Sequence, residues 1–243
     1  MIKPKSEWQT NKLSATFLEG VRGAIPGADL QLAVMGKVAQ LWCDTPAHIL
    51  DLGCGNGILG RHLLNIFPEA YGVFVDFSEP MLDAARKNLT GVLRTSVFKA
   101  DFSTPQWTDV VKSYRPFDVV VSGFAIHHQP DERKKALYSE IFDLLASRGI
   151  FLNLDHVTSN TAATGKLFDE FFVDHLHEFH ARSDPAASRQ KIADTYYMRP
   201  DKKENILAPV EDQCRWLREL GFKDVDCFFK IFELALFGGR KAS

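Results

Sequence analysis

The stretch Ile49-Leu50-Asp51-Leu52-Gly53-Cys54-Gly55-Asn56-Gly57 constrains this chain more than any other part of it. An apolar run ends in three alternating glycines and passes at once into a helical pattern from Ile58 to Phe67. Glycines at such a junction let the backbone turn sharply and approach a ligand with no Cβ in the way, and the following helix presents unpaired N–H groups. The stretch therefore reads as strand, ligand-binding turn and helix, the opening unit of an α/β sheet.

The rest of the chain repeats that alternation. Short apolar runs stand at His48-Ile49-Leu50, Tyr71 to Val75, Val97-Phe98, Phe117 to Val121 and Ile150 to Leu154, with helical patterns between most of them, which predicts a parallel sheet with helices on both faces. Ahead of it, Phe17, Leu18, Val21 and Ile25 stop at Pro26-Gly27 and the pattern resumes from Leu30 to Trp42, as two amphipathic helices would. Beyond Val157 come helical stretches Ala162 to Ala181 and Ala187 to Tyr197, a helix from Val210 to Leu220 ended by Gly221, and two strands within Val225 to Phe237 that suggest an antiparallel hairpin at the sheet edge. The expectation is one doubly wound α/β domain, 1–243, with a seven-stranded, mostly parallel sheet. Its parts are a helical lead-in (1–45), a ligand-binding core (46–157), a helical cover (158–208), and a terminal helix with edge hairpin (209–243).

Composition narrows the function classes. With 243 residues, 45% hydrophobic and 25% charged, the chain is neither a disordered tail nor a disulfide-stapled peptide. Its 29 Lys and Arg against 31 Asp and Glu give a net charge of −2, so there is no broad basic surface and a nucleic-acid partner is disfavoured. The four cysteines, Cys43, Cys54, Cys214 and Cys227, include no Cys-x-x-Cys pair, so neither a disulfide framework nor a metal site is expected. No apolar run reaches the roughly 18 to 20 residues of a membrane span. The expectation is a cytoplasmic protein without a membrane partner.

The glycine loop has two readings. Gly55-x-Gly57-x-x-Gly60 fits a dinucleotide fingerprint, with Asp76 placed where a ribose-binding acid belongs. Asp51, two residues before the first glycine, is a poor neighbour for a pyrophosphate and suits a cationic ligand.

With that acid included, Asp51-x-Gly53-x-Gly55-x-Gly57 resembles the signature of class I S-adenosylmethionine-dependent methyltransferases. Three further segments are similar to that family: Val73 to Leu82, Lys99-Ala100-Asp101-Phe102 and Phe117 to His128. The resemblance implies S-adenosylmethionine as cofactor and S-adenosylhomocysteine as product. It implies a cofactor site of Asp51, Gly53, Cys54, Gly55 and Asn56 in the loop, Asp76, Phe77 and Met81 in the second segment, Asp101 and Phe102 in the third, and Gly123 in the fourth. By that analogy Asp76 binds both ribose hydroxyls, Asp101 accepts from the adenine amino group and Phe102 packs on the ring. Two plainer roles stay open: Asp76 as the cap of a helix near Ser78, and Asp101 as the cap of a turn before Ser103. Cys54 reads as a small filler rather than a nucleophile.

From Ala15 to Lys241 the flanks resemble one branch, the carboxy-S-adenosylmethionine synthases of the tRNA wobble-uridine pathway. In that branch the resemblance places a tyrosine after the lead-in Pro-Gly, and an arginine in the late helix that holds the extra carboxylate. Here those positions are Ala28 and Trp216, and Arg215 lies about 100° away around a helix. The expectation is therefore ordinary S-adenosylmethionine and methyl transfer to the oxygen or nitrogen of a small molecule, of the kind found in secondary metabolism. The competing readings are the synthase (or another tRNA wobble-uridine enzyme) and a non-catalytic cofactor-binding subunit. The same resemblance implies a homodimer.

Methyl transfer from a sulfonium needs an aligned nucleophile, and a base only where the acceptor must lose a proton. His127 and His128, just past the fourth strand, are the candidate bases, with His127 preferred. His175, His177 and His180 cannot share one narrow helix face and are not read as metal ligands. Phe168, Phe172, Leu176 and Phe179 form one stripe of an amphipathic helix, which suits core packing as well as a cover over the pocket, and residues 182–205 read either as a lid or as a solvated helical insert.

Overall fold

Strand β1 (His48–Leu52) lies in mid-sheet because it is apolar on both faces: Ile49 points into one buried cluster and Leu50 and Leu52 into another. In the computed structural model, which describes residues 21–243, β1 pairs in parallel with β2 (Tyr71–Asp76) and β4 (Phe117–Gly123). Parallel partners continue outward as β3 (Thr95–Lys99) beside β2 and β5 (Leu145–His156) beside β4. The seven-stranded sheet runs β3-β2-β1-β4-β5-β7-β6, so the fold is the doubly wound, mostly parallel α/β architecture. The terminal hairpin, β6 (Lys223–Ile231) and β7 (Leu234–Arg240), is antiparallel, and its second strand enters the sheet between β5 and β6.

Helices cover both faces. On one, α1 (Ala28–Trp42), α2 (Ile58–Ile66) and α3 (Glu79–Asn88) pack on Ile49, Phe74, Val119, Val121 and Leu152. On the other, α4 (Asp131–Leu144) lies over Leu50, Val73, Val120 and Phe151, with a 3₁₀ segment at Pro105–Tyr114 filling the connection between β3 and β4. The last helix, α7 (Val210–Glu219), packs there too. Each fully buried aliphatic or aromatic side chain contributes about 1.5 to 3 kcal/mol, so the two layers supply most of the stability.

The cover is α5 (Ala162–Ala181) and α6 (Arg189–Tyr197). Thr161 starts α5, its hydroxyl accepting from Thr164 N–H, and Ser188 does the same for α6 through Lys191 N–H. Phe168, Phe172 and Val173 turn inward against Ile25, Tyr196 and Leu234, while Leu176 is only partly buried. Polar ties join the pair: Tyr196 donates to Asp169 at 2.6 Å, Tyr197 donates to Glu170 at 3.4 Å, and Arg189 forks between Glu170 and Asp174. The expected lead-in helix through Phe17 and Leu18 lies outside the described residues. Among those described, no helix is long and apolar enough to cross a membrane.

Candidate active site

The loop after β1 keeps to the sheet for two residues beyond the strand, Gly53 and Cys54 both donating to the Val75 carbonyl at 2.8 and 3.0 Å. It then turns through Gly53, Gly55 and Gly57, with φ of +67°, +53° and +79°, a region that side-chain-bearing residues adopt only at a cost. At Gly53 an added Cβ would stand 2.4 Å from Ala125 Cβ and 3.2 Å from the Phe102 ring, whereas at Gly55 it would meet nothing within 4 Å. Gly55 is thus the glycine of the loop that leaves its outer side open.

Asp51, fully buried, accepts the Gly60 N–H at 2.8 Å in the first turn of α2. Its carboxylate sits beneath the loop and holds the helix N-terminus, a favourable place for an anion. Asp76, at the end of β2 and 6% exposed, accepts from Gly55 N–H through Oδ2 and from Ser78 N–H through Oδ1, each at 2.8 Å. Burial pushes its carboxyl up from the ordinary range against the backbone donors of Ser78, Gly55 and Phe77. The capping reading of Asp76 is therefore met in the geometry, and the acid is fastened to the loop as well.

Phe102 is buried against Gly53, its carbonyl held by Arg133 Nε at 2.8 Å, and Asn56, whose carbonyl accepts from Asn88 at 3.1 Å, flanks the loop. Phe77 is half-buried next to Asp76, and Met81 is buried in α3. Asp101 is exposed and accepts from Ser103 N–H at 2.8 Å, the turn-capping geometry. Cys54 is buried, and burial beside Asp76 and Asp51 keeps its thiol well above the ordinary value, so no thiolate nucleophile forms there. Gly123 leaves room for a neighbour: an added Cβ would stand 2.6 Å from Leu59 Cδ1.

The candidate bases lie on a 3₁₀ turn, Ile126–His128, just past β4. His127 is buried and its Nδ1 lies 2.6 Å from Asp155 Oδ1, at the end of β5. Burial pushes the Asp155 carboxyl up, but the charge and hydrogen bond of His127, with Asn153 and the His156 N–H, outweigh it and hold the group below its usual range. Asp155 is then an acceptor, so Nδ1 carries a proton and Nε2 is the ring nitrogen left to take one. His128 stacks on His127 at 4.0 Å between ring centroids and points Nδ1 at the Glu204 carbonyl, 3.2 Å away. Burial and the neighbouring His127 push its pKa down to about 3, which makes it a weak proton acceptor. A second histidine–carboxylate pair adjoins the first: His156 Nε2 lies 3.0 Å from Glu233 Oε2, and its ring is 5.8 Å from that of His127.

Asp155, His156 and Glu233 are absent from the sequence reading. The signal was the polar ending Asn153-Leu154-Asp155-His156 of an otherwise apolar strand. The position aligned with the synthases' arginine, Trp216, is in the core beside Leu217 and Phe222 with the Lys135 ammonium 4.8 Å above its ring. Arg215 points outward and pairs with Asp212 and Glu219. The histidines of α5 are not gathered together; His177 donates to the Ala187 carbonyl at 3.0 Å.

Comparison with known proteins agrees with this architecture. A family model described as "Methyltransferase domain" matches residues 49–149, the glycine loop through the start of β5. The carboxy-S-adenosyl-L-methionine synthase of Aeromonas hydrophila is 26% identical over 231 residues, covering 93% of this chain and 87% of that one. Among solved structures, human N-acetylserotonin methyltransferase in complex with SAM superposes with a TM-score of 0.61 at 13% identity over 97% of this chain. The mitomycin 7-O-methyltransferase MmcR does so with a TM-score of 0.59 at 19% identity over 98%. The chain spans 58% and 61% of those two longer chains, so they show the fold alone. Sheet order, glycine loop, family model and whole-chain relatives converge: the chain has the class I S-adenosylmethionine-dependent methyltransferase fold, and its residues 49–149 match a methyltransferase domain.

Proposed function

We propose that this enzyme transfers a methyl group from S-adenosylmethionine to an oxygen or nitrogen of a small molecule, with His127 taking the acceptor's proton. The buried His127–Asp155 pair, 2.6 Å apart, carries this reading. The donor-side residues fit the cofactor: the open side of Gly55 and the apolar wall of Phe102 leave room for a nucleoside, and Asp76 offers a carboxylate for its hydroxyls. When bound, S-adenosylmethionine supplies an electrophilic methyl on a cationic sulfur. Asp76 and the loop fix the donor, Asp155 sets the tautomer of His127, and Nε2 of His127 accepts the proton as the acceptor becomes nucleophilic. Asp155 stabilises the imidazolium that results. The near-neutral charge balance supports a small acceptor over a nucleic acid.

Denaturing mass spectrometry of molecules released from the purified protein, followed by S-adenosylhomocysteine formation with a panel of hydroxyl and amine acceptors, tests this. Turnover with one acceptor that His127→Asn abolishes supports it; turnover that survives in His127→Asn removes the base.

One observation favours a second reading. The whole-length relatives are carboxy-S-adenosyl-L-methionine synthases. Recovery of a species heavier than S-adenosylmethionine by one carboxylate would move the assignment there. The outward ion pairing of Arg215 and the core position of Trp216 support the methyl-transfer reading instead.

A further inference from the structure

Lys134 has no exposed surface, and it is the one lysine so buried among the described residues. Its ammonium donates to Asp131 Oδ1 at 2.7 Å and to the backbone carbonyl of Ile206. Ile206 in turn donates its own N–H to the His127 carbonyl at 2.9 Å. The segment around it, residues 204–208, is the strap by which the cover returns to α7, and it crosses the site at three more points. His128 Nδ1 meets the Glu204 carbonyl, Thr158 N–H donates to the Ala208 carbonyl at 3.2 Å, and Gln213, itself held by Tyr138, donates to that same carbonyl at 3.1 Å.

We propose that Lys134 is a positioning residue for the reaction: through Ile206 it clamps the strap onto the backbone of His127 and so keeps the imidazole seated on Asp155. This rests on the reading of His127 as the base. Two physical arguments support it. The turn that bears His127 is a single 3₁₀ turn with its own bonds at 3.0 and 3.4 Å, too short to define its geometry alone, so outside bonds decide where it sits. A buried ammonium, moreover, is a poor device for stability, because desolvation cancels most of what its bonds return, and a good one for fixing geometry.

The test reads the tautomer of His127 by two-bond proton–nitrogen correlation in histidine-labelled protein, the signal assigned by its loss in His127→Asn. S-adenosylhomocysteine affinity measured alongside reports folding and the donor site. Lys134→Met removes the ammonium and leaves Asp131, which is partly exposed, to water. Ile206→Pro removes the N–H that reaches His127 while keeping the carbonyl that Lys134 holds; Asn205, at φ −75° and ψ 124°, tolerates a following proline. The native protein should show the Nδ1–H form. Both variants should show a growing Nε2–H form, with S-adenosylhomocysteine affinity within about twofold and Lys134→Arg restoring the native pattern. An unchanged His127 signal in variants that bind S-adenosylhomocysteine overturns the proposal, as does loss of that binding in both, which would make the strap a general support. Full methyl transfer by His127→Asn would remove the base reading and leave the tautomer result standing.

Discussion

Asp76 and Gly55 are joined directly, the Gly55 N–H donating to Asp76 Oδ2 at 2.8 Å. The acid at the end of β2 and the open glycine of the loop after β1 therefore move as one piece, and the other carboxylate oxygen anchors the start of α3 through Ser78. A carboxylate oxygen has two lone-pair directions, so each can serve a backbone N–H and a ligand hydroxyl together. Replacing Asp76 by Ala should lower S-adenosylmethionine affinity by about ten- to a hundredfold, on the order of two lost charge-assisted hydrogen bonds, while the protein stays folded. Calorimetric titration of the variant decides it, and an affinity equal to the native one would remove the ribose role.

Two glycines five residues apart, Gly55 and Gly60, should separate binding from stability. Gly55→Ala places its Cβ in open space at the cost of a positive φ, about 1 to 2 kcal/mol, and should weaken cofactor binding with a small fall in melting temperature. Gly60→Ala forces a Cβ to 2.4 Å from the Phe74 ring and 3.1 Å from Asp51 Cβ, so overpacking should cost about 1 to 3 kcal/mol. Thermal melts and titrations on the pair would show opposite orders of severity if the loop is built this way.

Asp155→Asn keeps the shape of the β5 terminus and removes the carboxylate charge that fixes Nδ1–H and would stabilise the imidazolium. Methyl transfer to an acceptor that must lose a proton should fall by about 10² to 10⁴, and His127→Asn should do the same, with S-adenosylmethionine affinity unchanged in both. The double variant should lose no more than either single one, because the two residues act as a unit. Additive losses in steady-state rates would mean they act separately.

Acid should destabilise the fold through the buried histidines. Burial lowers the pKa of His128 to about 3 and lowers that of His156 as well, with Glu233 opposing. Between the ordinary histidine value near 6.5 and about 3, the unfolded chain binds protons that the folded chain does not, so stability falls as pH drops through that window. His128→Asn should flatten the dependence of the denaturation midpoint on pH across that range. A slope identical to the native protein's would show that His128 is not held neutral.

The sheet order and the donor loop were legible because both are local: alternating apolar runs dictate strands and helices, and Asp51 with three glycines can be read off adjacent residues. What stayed hidden depends on strand pairing. Asp155 gains its meaning only because β5 lies beside β4, which brings it to His127, and Glu233 only because β7 folds back along β5 and sets the turn before it near His156. Packing also gives structural roles to residues whose neighbours are distant in sequence. Gly123 makes room for Leu59, Asp51 fastens a helix from below, and Trp216 fills the core rather than facing a ligand.

The insertion of β7 between β5 and β6 also sets an order of events in synthesis. Asp155 is registered opposite Ala235 and His156 opposite Leu234, so the free edge of β5, and with it the seat of both histidine–carboxylate pairs, has no partner until the final hairpin has left the ribosome. A nascent chain can pair β1, β2 and β3 early, but the half that carries the proposed base must wait for that long-range pairing. The enzyme would bind its cofactor before it could use it.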